Sequence, residues 1–409
     1  MSDNNSVNKL EEIPISKLCP GMYVVSISKG DKGISIKSEG YIVKQSTVTK
    51  MVKADIKRVV VDHSREKKAE KIDKVLPDIP SKPLKSQKPT DANQVPLELE
   101  MKNASKLYNN AKDLQQKILD DVTKGKVIDV DEVQQSTDAM VDSIFRNQDA
   151  MSCMSRLRMK DAYLVEHSLN VSILMTIFTK HLGYDRATIE QLALGAFLHD
   201  IGKVLVPSEI LNKPGKLTEE EYETMKQHVL LGVKVLEDTP SISHMIMSIV
   251  KEHHERIDGS GYPHQLSSDS ISKFGRMIAI VDSYDAMTAE RVYKAGMHPI
   301  KAFKILVKES PTAYDEELVE KFIQCLGVYP IGTLVKLNSG KLGLISKLNK
   351  SKPLHPYVKV FYNTRLNQAI PMEEINLSKC KYKDQIDCCI KPEEFNINLI
   401  GFFKAAFID

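Results

Sequence analysis

Tryptophan is absent from this 409-residue chain, aromatic residues make up only 6 % of it, and its six cysteines contain no CxxC pair. The missing tryptophan decides nothing. The cysteines are scattered at Cys19, Cys153, Cys325, Cys380, Cys388 and Cys389, so they offer no structural Cys-zinc spacing and read as reduced thiols of a cytoplasmic protein. No apolar run approaches the roughly 18 residues that a membrane helix requires. The start, MSDNNSVNKLEE, is polar and lacks a signal-like apolar segment. Neither sign of charge dominates, with 57 Lys and Arg against 54 Asp and Glu for a net +3. That balance gives no reason to expect DNA or RNA as a partner, and none to expect membrane insertion.

What is present divides into three regions and a linker, a length that suits two or three domains. Residues 10–62 alternate β-branched and polar positions (YVVSISKG, GISIKSEG, YIVKQ, KRVVVD), with one short helix expected over STVTKMVKAD. We read 1–63 as a small N-terminal α/β, mostly β, module with a sensory role. Residues 64–96 are rich in Lys and Pro and poor in apolar residues, which predicts a flexible linker. From 97 to 326 the period is helical. Ala104, Leu107, Tyr108, Ala111, Leu114 and Ile118 share one stripe, and Val133, Thr137, Met140, Val141 and Ile144 another. Asp129 with Glu132, and Thr218 with Glu221 ahead of a helix over 222–237, have the spacing of capping boxes. After 327 the period returns to two (TLVKL, GLISKL, YVKVF), which predicts a small C-terminal β-barrel over 327–409. No internal repeat is visible.

The helical region carries an unusual polar set. His167 lies three residues after Leu164 and four, seven and eleven before Val171, Leu174 and Phe178, so it belongs to a buried stripe. His199 and Asp200 end an apolar helix, His228 lies one turn beyond Met225, His253 and His254 follow Ile249 and Val250, and Asp282 closes RMIAIVD. A single inward histidine is ordinarily a core residue with a hydrogen bond. Repeated inward His and Asp would leave unpaired charges in an apolar bundle unless a cation joins them. Imidazole and carboxylate donors without thiolate suit Fe, Mn or Zn.

Seven donors exceed what one ion takes and imply two metals, with Asp200 as the natural bridge. Such a pair lowers the pKa of a shared water and clamps the oxygens of a displacement at phosphorus. Lys203, one turn past Asp200, is placed to hold a phosphoryl oxygen. Arg291 and Lys294 follow Asp282 by two to three turns.

His167, HDIGK at 199–203, His228, HHERIDGSGYP at 253–263 and DSYDAMTAERVYK at 282–294 together resemble the HD-GYP family of HD metal-dependent phosphohydrolases. Residues 10–62 resemble the small domain often found ahead of such domains, and the stretch after 327 resembles a tail that many of them carry. The resemblance implies a multidomain protein with an all-α HD-type helical bundle as its catalytic core (97–326), flanked by the small N-terminal domain and a β-rich C-terminal domain. It implies a phosphodiesterase that converts cyclic di-GMP to pGpG, GMP or both through a metal-bridging hydroxide, with a cyclic GMP-AMP phosphodiesterase or a catalytically weak dinucleotide-binding or protein-interaction module as the alternatives.

Carried over by residue, the resemblance makes His167, His199, Asp200, His228, His253, His254 and Asp282 the ligands of two divalent ions, Fe or Mn. It makes Asp200 and Lys203 catalytic, and Lys203, Arg291, Lys294, Asp161 and Tyr262 substrate contacts. Tyr163 stands where some members carry a Glu that ligates a third metal. A homodimer or a signalling-protein partner is compatible with the same resemblance.

Overall fold

The computed structural model describes residues 10–18, 22–29, 34–41, 51, 56–63, 95–156, 163–290, 296–310, 312–379 and 384–395. Two compact units divide the chain, Met1–Pro80 and Ser81–Asp409. In the first, β1 (Leu10–Pro14), β2 (Tyr23–Lys29), β3 (Ile34–Tyr41) and β4 (Ile56–Asp62) form an antiparallel sheet in the order β1-β4-β2-β3. Ile56, Val59 and Val61 of β4 are buried with Ile13, Leu18 and Val24 as its core. The helix expected over 46–55 lies outside the described residues apart from Met51, as does the linker expected over 64–96 apart from Val95 and Pro96. Val95 is tied down: its N–H donates to the Arg146 carbonyl at 3.3 Å, and its own carbonyl accepts from Asn147 Nδ2 at 2.8 Å.

The second unit opens with α1 (Leu97–Thr123) and α2 (Val130–Met154), which pack together through the two stripes read from the sequence. The Asp129 carboxylate caps α2 by accepting from the Glu132 N–H, but Glu132 does not reach back. Its carboxylate pairs with Lys117 of α1 at 2.6 Å, so only half of the expected capping box forms. Asn147 breaks α2 with φ −158° and ψ 101°.

There follow α3 (Tyr163–His181), α4 (Arg186–Leu198), a 3-10 turn (Ile201–Leu205) and α5 (Ser208–Leu211). Next come α6 (Glu219–Lys226), α7 (His228–Glu237), α8 (His244–Glu252), α9 (Lys273–Thr288), α10 (Pro299–Glu309) and α11 (Glu316–Leu326). Thr218 and Glu221 make a complete capping box. The helix expected over 222–237 is two, because the Gln227 N–H bonds to Thr224, three residues back, and tightens the turn just ahead of His228.

Strands β5 (Leu334–Leu337), β6 (Lys341–Lys347), β7 (Tyr357–Asn363), β8 (Gln368–Asn376) and β9 (Ile386–Cys389) form an antiparallel sheet in the order β8-β7-β6-β5-β9. Among the described residues its end strands do not pair, so the ladder is an open sheet and not the closed barrel expected. Leu334, Val335, Leu342, Leu344, Val358 and Val360 belong to the same apolar cluster as Phe178, Phe303 and Phe322 of the helices. The sheet therefore shares the bundle's core. Among the described residues no helix is long and apolar enough to cross a membrane.

One buried charge joins α1 to α2. Glu100 is 3 % exposed. Its carboxylate accepts two bonds from Arg146 at 2.9 Å, one from Ser143 at 2.7 Å and one from Asn103 at 2.9 Å. Burial pushes the Glu100 pKa up, but the bonds from Arg146, Asn103 and Ser143 outweigh it and hold it below the ordinary value. A depressed carboxylate stabilises the fold above its unfolded-state pKa of about 4.3, and that contribution fades as pH falls through the folded value. Glu100→Gln is expected to lower unfolding stability by about 2 kcal/mol at pH 7, the scale of hydrogen bonds to a charged group. The deficit should shrink below about pH 4, where the wild-type carboxylate protonates. Urea unfolding followed by the helical circular dichroism signal at pH 7 and at acid pH checks both.

Candidate metal centre

Helix ends converge on the site. Burial of the α4 stripe (Ile189, Leu192, Ala193, Ala196) carries His199 and Asp200 inward at its C-terminus. α7 begins with His228, α8 ends just ahead of His253, and α3 and α9 supply His167 and Asp282 from their interiors. Two glycines allow the approach. A Cβ on Gly202 would lie 2.0 Å from the His228 carbonyl oxygen and 2.4 Å from the Gly232 nitrogen, so only glycine lets the 3-10 turn bearing Lys203 rest on α7. A Cβ on Gly261 would lie 2.4–2.6 Å from the backbone of Glu255 and Arg256.

The structure brings all seven predicted donors together in two groups. Asp200, His228, His253 and His254 offer one set of mutually close donor atoms, and His167, His199 and Asp282 the other. Asp200 faces both. Its Oδ1 is 3.4 Å from His228 Nε2 and 3.6 Å from His253 Nε2, while its Oδ2 is 3.3 Å from His199 Nε2 and 3.4 Å from His167 Nε2. Lys203 Nζ lies 2.5 Å from the same Oδ2. His167 Nε2 is also 3.0 Å from Asp282 Oδ1, and His254 Nδ1 is 3.7 Å from Asp282 Oδ2.

Hydrogen bonds behind the rings set which nitrogen points inward. His199 Nδ1 bonds to the Ala196 carbonyl at 2.7 Å, His228 Nδ1 to Met225 at 2.7 Å and His253 Nδ1 to Val250 at 2.8 Å. A carbonyl only accepts, so each Nδ1 carries a proton, and it is Nε2 that faces the centre and, in the neutral ring, offers its lone pair there. His228 Nε2 and His253 Nε2 then face one another at 3.3 Å. His199 Nε2 and Asp200 Oδ1 are buried without any hydrogen-bond partner. Converging lone pairs and an orphaned buried carboxylate oxygen are costly in an apolar bundle. A divalent cation satisfies them, and the donor set fits one.

Electrostatics agree. Burial raises the Asp200 pKa, but His199 and Lys203 hold it well below the carboxylate range; burial raises that of Asp282, and His167 likewise holds it well below that range. Burial pushes His253 down to about 4 against the pull of Asp200, and burial, with His253 alongside disfavouring a second positive charge, keeps His254 well below the ordinary value. His167 goes the other way. Burial disfavours its charged form, yet hydrogen bonds to Asp282 and Asp285 push it up to about 9. The centre thus holds ionised carboxylates that draw in positive charge.

Two further residues support the donors: Asp285, which the sequence alone does not single out, and Glu255, which beside His253 and His254 reads as a supporting or surface residue and not as a ligand. Asp285, fully buried, accepts from His167 Nδ1 at 2.8 Å, in place of the backbone carbonyl that serves His199, His228 and His253. Its i+3 spacing from Asp282 on α9 was the available signal. Glu255, 1 % exposed, accepts the N–H groups of His264 at 2.8 Å and Leu266 at 2.9 Å and so pins the loop that carries Tyr262. Tyr262 lies against His254, with ring centroids 4.6 Å apart, and its N–H donates to the His254 carbonyl. Asp161, Arg291 and Lys294 lie outside the described residues, and nothing is described of the Tyr163 side chain.

A helical bundle whose helix ends gather histidine and aspartate around one shared carboxylate defines an HD-domain protein. Comparison with known proteins agrees. The profile of the HD domain matches residues 151–318, and that of a domain of unknown function (DUF3391) matches residues 10–133. A cyclic di-GMP phosphodiesterase of Pseudomonas aeruginosa is 32 % identical over 385 residues, covering 92 % of this chain and 91 % of the relative. A cyclic di-GMP phosphodiesterase of Thermotoga maritima is 35 % identical over 45 % of this chain and 50 % of its own. A 3′3′-cGAMP-specific phosphodiesterase of Vibrio cholerae is 34 % identical over 42 % of this chain and 37 % of its own. The chain belongs to the HD-GYP family of cyclic-dinucleotide phosphodiesterases.

Asp285→Asn keeps the shape but removes the charge behind His167. It is expected to weaken Mn²⁺ binding by about ten- to a hundredfold, as loss of an outer-shell carboxylate does. Competition against a chelator of known affinity, with circular dichroism to confirm the fold, measures it.

Proposed function

We propose that this chain hydrolyses cyclic di-GMP to pGpG and then GMP at a centre of two divalent ions, Fe or Mn. The observation that carries this reading is the placement of Asp200, one oxygen toward each donor group. His228, His253 and His254 would hold one ion and His167, His199 and Asp282 the other, with Asp200 shared between them. When bound, such ions lower the pKa of a water they share and so supply a nucleophile at neutral pH.

The chain's own groups do the rest. Lys203, with its ammonium against Asp200, is positioned to hold a non-bridging oxygen of the scissile phosphate and offset charge that builds on it. Tyr262, whose ring lies against His254, would shape the wall of the cleft. Arg291, Lys294 and Asp161 are proposed as further substrate contacts by the family resemblance alone. The relative that spans 92 % of the chain favours cyclic di-GMP. Cyclic GMP-AMP is the second reading, favoured by the relatives named as specific for it.

Anaerobic purification, metal analysis and chromatography of the products of both dinucleotides test the proposal. Asp200→Ala is expected to abolish turnover, and excess chelator to do the same. Lys203→Met should keep its metals and lower kcat by about a hundredfold, the scale of one lost electrostatic donor. Turnover that persists in Asp200→Ala or in excess chelator would overturn the two-ion reading.

A further inference from the structure

Outward from the metal donors runs a ladder of rings that the donor chemistry does not use. His254 leads to Tyr262 at 4.6 Å, and Tyr262 leads to Tyr222 at 6.4 Å, edge to face. Lys226 Nζ lies 4.8 Å from the centroid of the Tyr222 ring and 5.6 Å from that of Tyr262. Tyr222 and Lys226 are four residues apart on α6, so they project from the same face.

Tyr262 is held rigidly, through the packing of Gly261 on the Glu255–Arg256 backbone and the Glu255 clamp on the loop beyond it. Tyr222 is different. It is 46 % exposed, a large ring left in solvent at the edge of a buried polar centre. Lys226 is paired with Glu223 at 2.6 Å, but the Glu223 side chain is 66 % exposed, and such a pair exchanges readily for a stronger anion.

Tyr222 lies only two ring contacts out from His254, so a nucleotide whose phosphate sits at the donors can reach this rim with its base. Bases have flat π-faces, and an exposed tyrosine ring is the surface on which they stack. A cation over that ring is placed for the adjoining phosphate. We propose that Tyr222, Lys226 and Tyr262 form a nucleotide subsite, in which Tyr222 stacks a purine base and Lys226 pairs with a phosphate oxygen. The subsite rests on the phosphodiesterase reading above and adds the residues that grip the substrate beyond the scissile phosphate.

Calorimetric titration of the manganese-loaded full chain with GMP and, separately, with ribose 5-phosphate tests it. Tyr222→Ala is expected to weaken GMP about tenfold, within the range of one stacked base, while leaving ribose 5-phosphate unchanged. Tyr222→Phe should retain GMP affinity, because the ring remains. Lys226→Met should weaken both ligands, because both carry the phosphate. Unchanged GMP affinity in Tyr222→Ala, or equal weakening of both ligands, would overturn the subsite, as would failure of the wild-type chain to bind GMP. Because binding is read without turnover, an inactive wild-type chain that binds GMP as described would count against the phosphodiesterase reading alone.

Discussion

The structure turns on a buried carboxylate whose charge is only partly answered, by Lys203 on one oxygen. Asp200 is 1 % exposed, one of its oxygens has no hydrogen-bond partner, and four imidazole nitrogens lie within 3.6 Å of it. Water cannot solvate it, and a single ammonium, Lys203, reaches only one of its oxygens. An isolated buried carboxylate costs several kcal/mol or more. The same atoms that are frustrated without a cation are ones that could hold metal. Asp282 and Asp285 add further buried negative charge, which is why His167 is drawn toward its protonated form.

Everything around Asp200 serves to hold these groups in place. The apolar faces of α3, α4, α8 and α9 fix where each helix ends or passes, and the donors occur at those points. Carbonyls three residues back lock the rings of His199, His228 and His253, so their orientation follows from the helix itself. His167, inside α3, has no free carbonyl behind it, and Asp285 takes that part. Gly202 allows the turn after Asp200 to touch α7, and Gly261 allows the next loop to lie on the chain that follows His254. A methyl group at either position would push the donor set apart.

The flanking regions differ in how they relate to this core. The C-terminal sheet is continuous with it, since Leu344 and Val358 share an apolar cluster with Phe322. The N-terminal sheet has a small core of its own around Val59 and Val61. The segment between them re-enters the described structure at Val95, where it bonds to the break in α2 at Asn147. That break lies upstream of α3, the helix bearing His167.

Much of this was legible in the amino-acid order. Period alone separated the helical region from the two β regions, because a stripe at i, i+3, i+4 and an alternation of two bury different faces. The seven donors were legible in combination: one histidine on an apolar stripe is ordinary, but repeated His and Asp at the ends of such stripes or within them are costly without a cation. The rest needed the third dimension. Glu132 has the spacing of a capping residue, yet it is taken by Lys117 of another helix. The C-terminal alternation does not reveal whether the sheet's ends meet. Glu255 reads from its place beside the histidines as a supporting or surface residue, and only the fold shows that it clamps a loop nine to eleven residues on through two N–H groups. Sequence by itself determined which apolar stripes are buried and which His and Asp along them could ligate, since both follow from local periodicity. Only the tertiary structure decided how they group, which oxygen of Asp200 meets which ring, and that Asp285 stands behind His167, because those depend on distances between helices that no spacing along one chain contains.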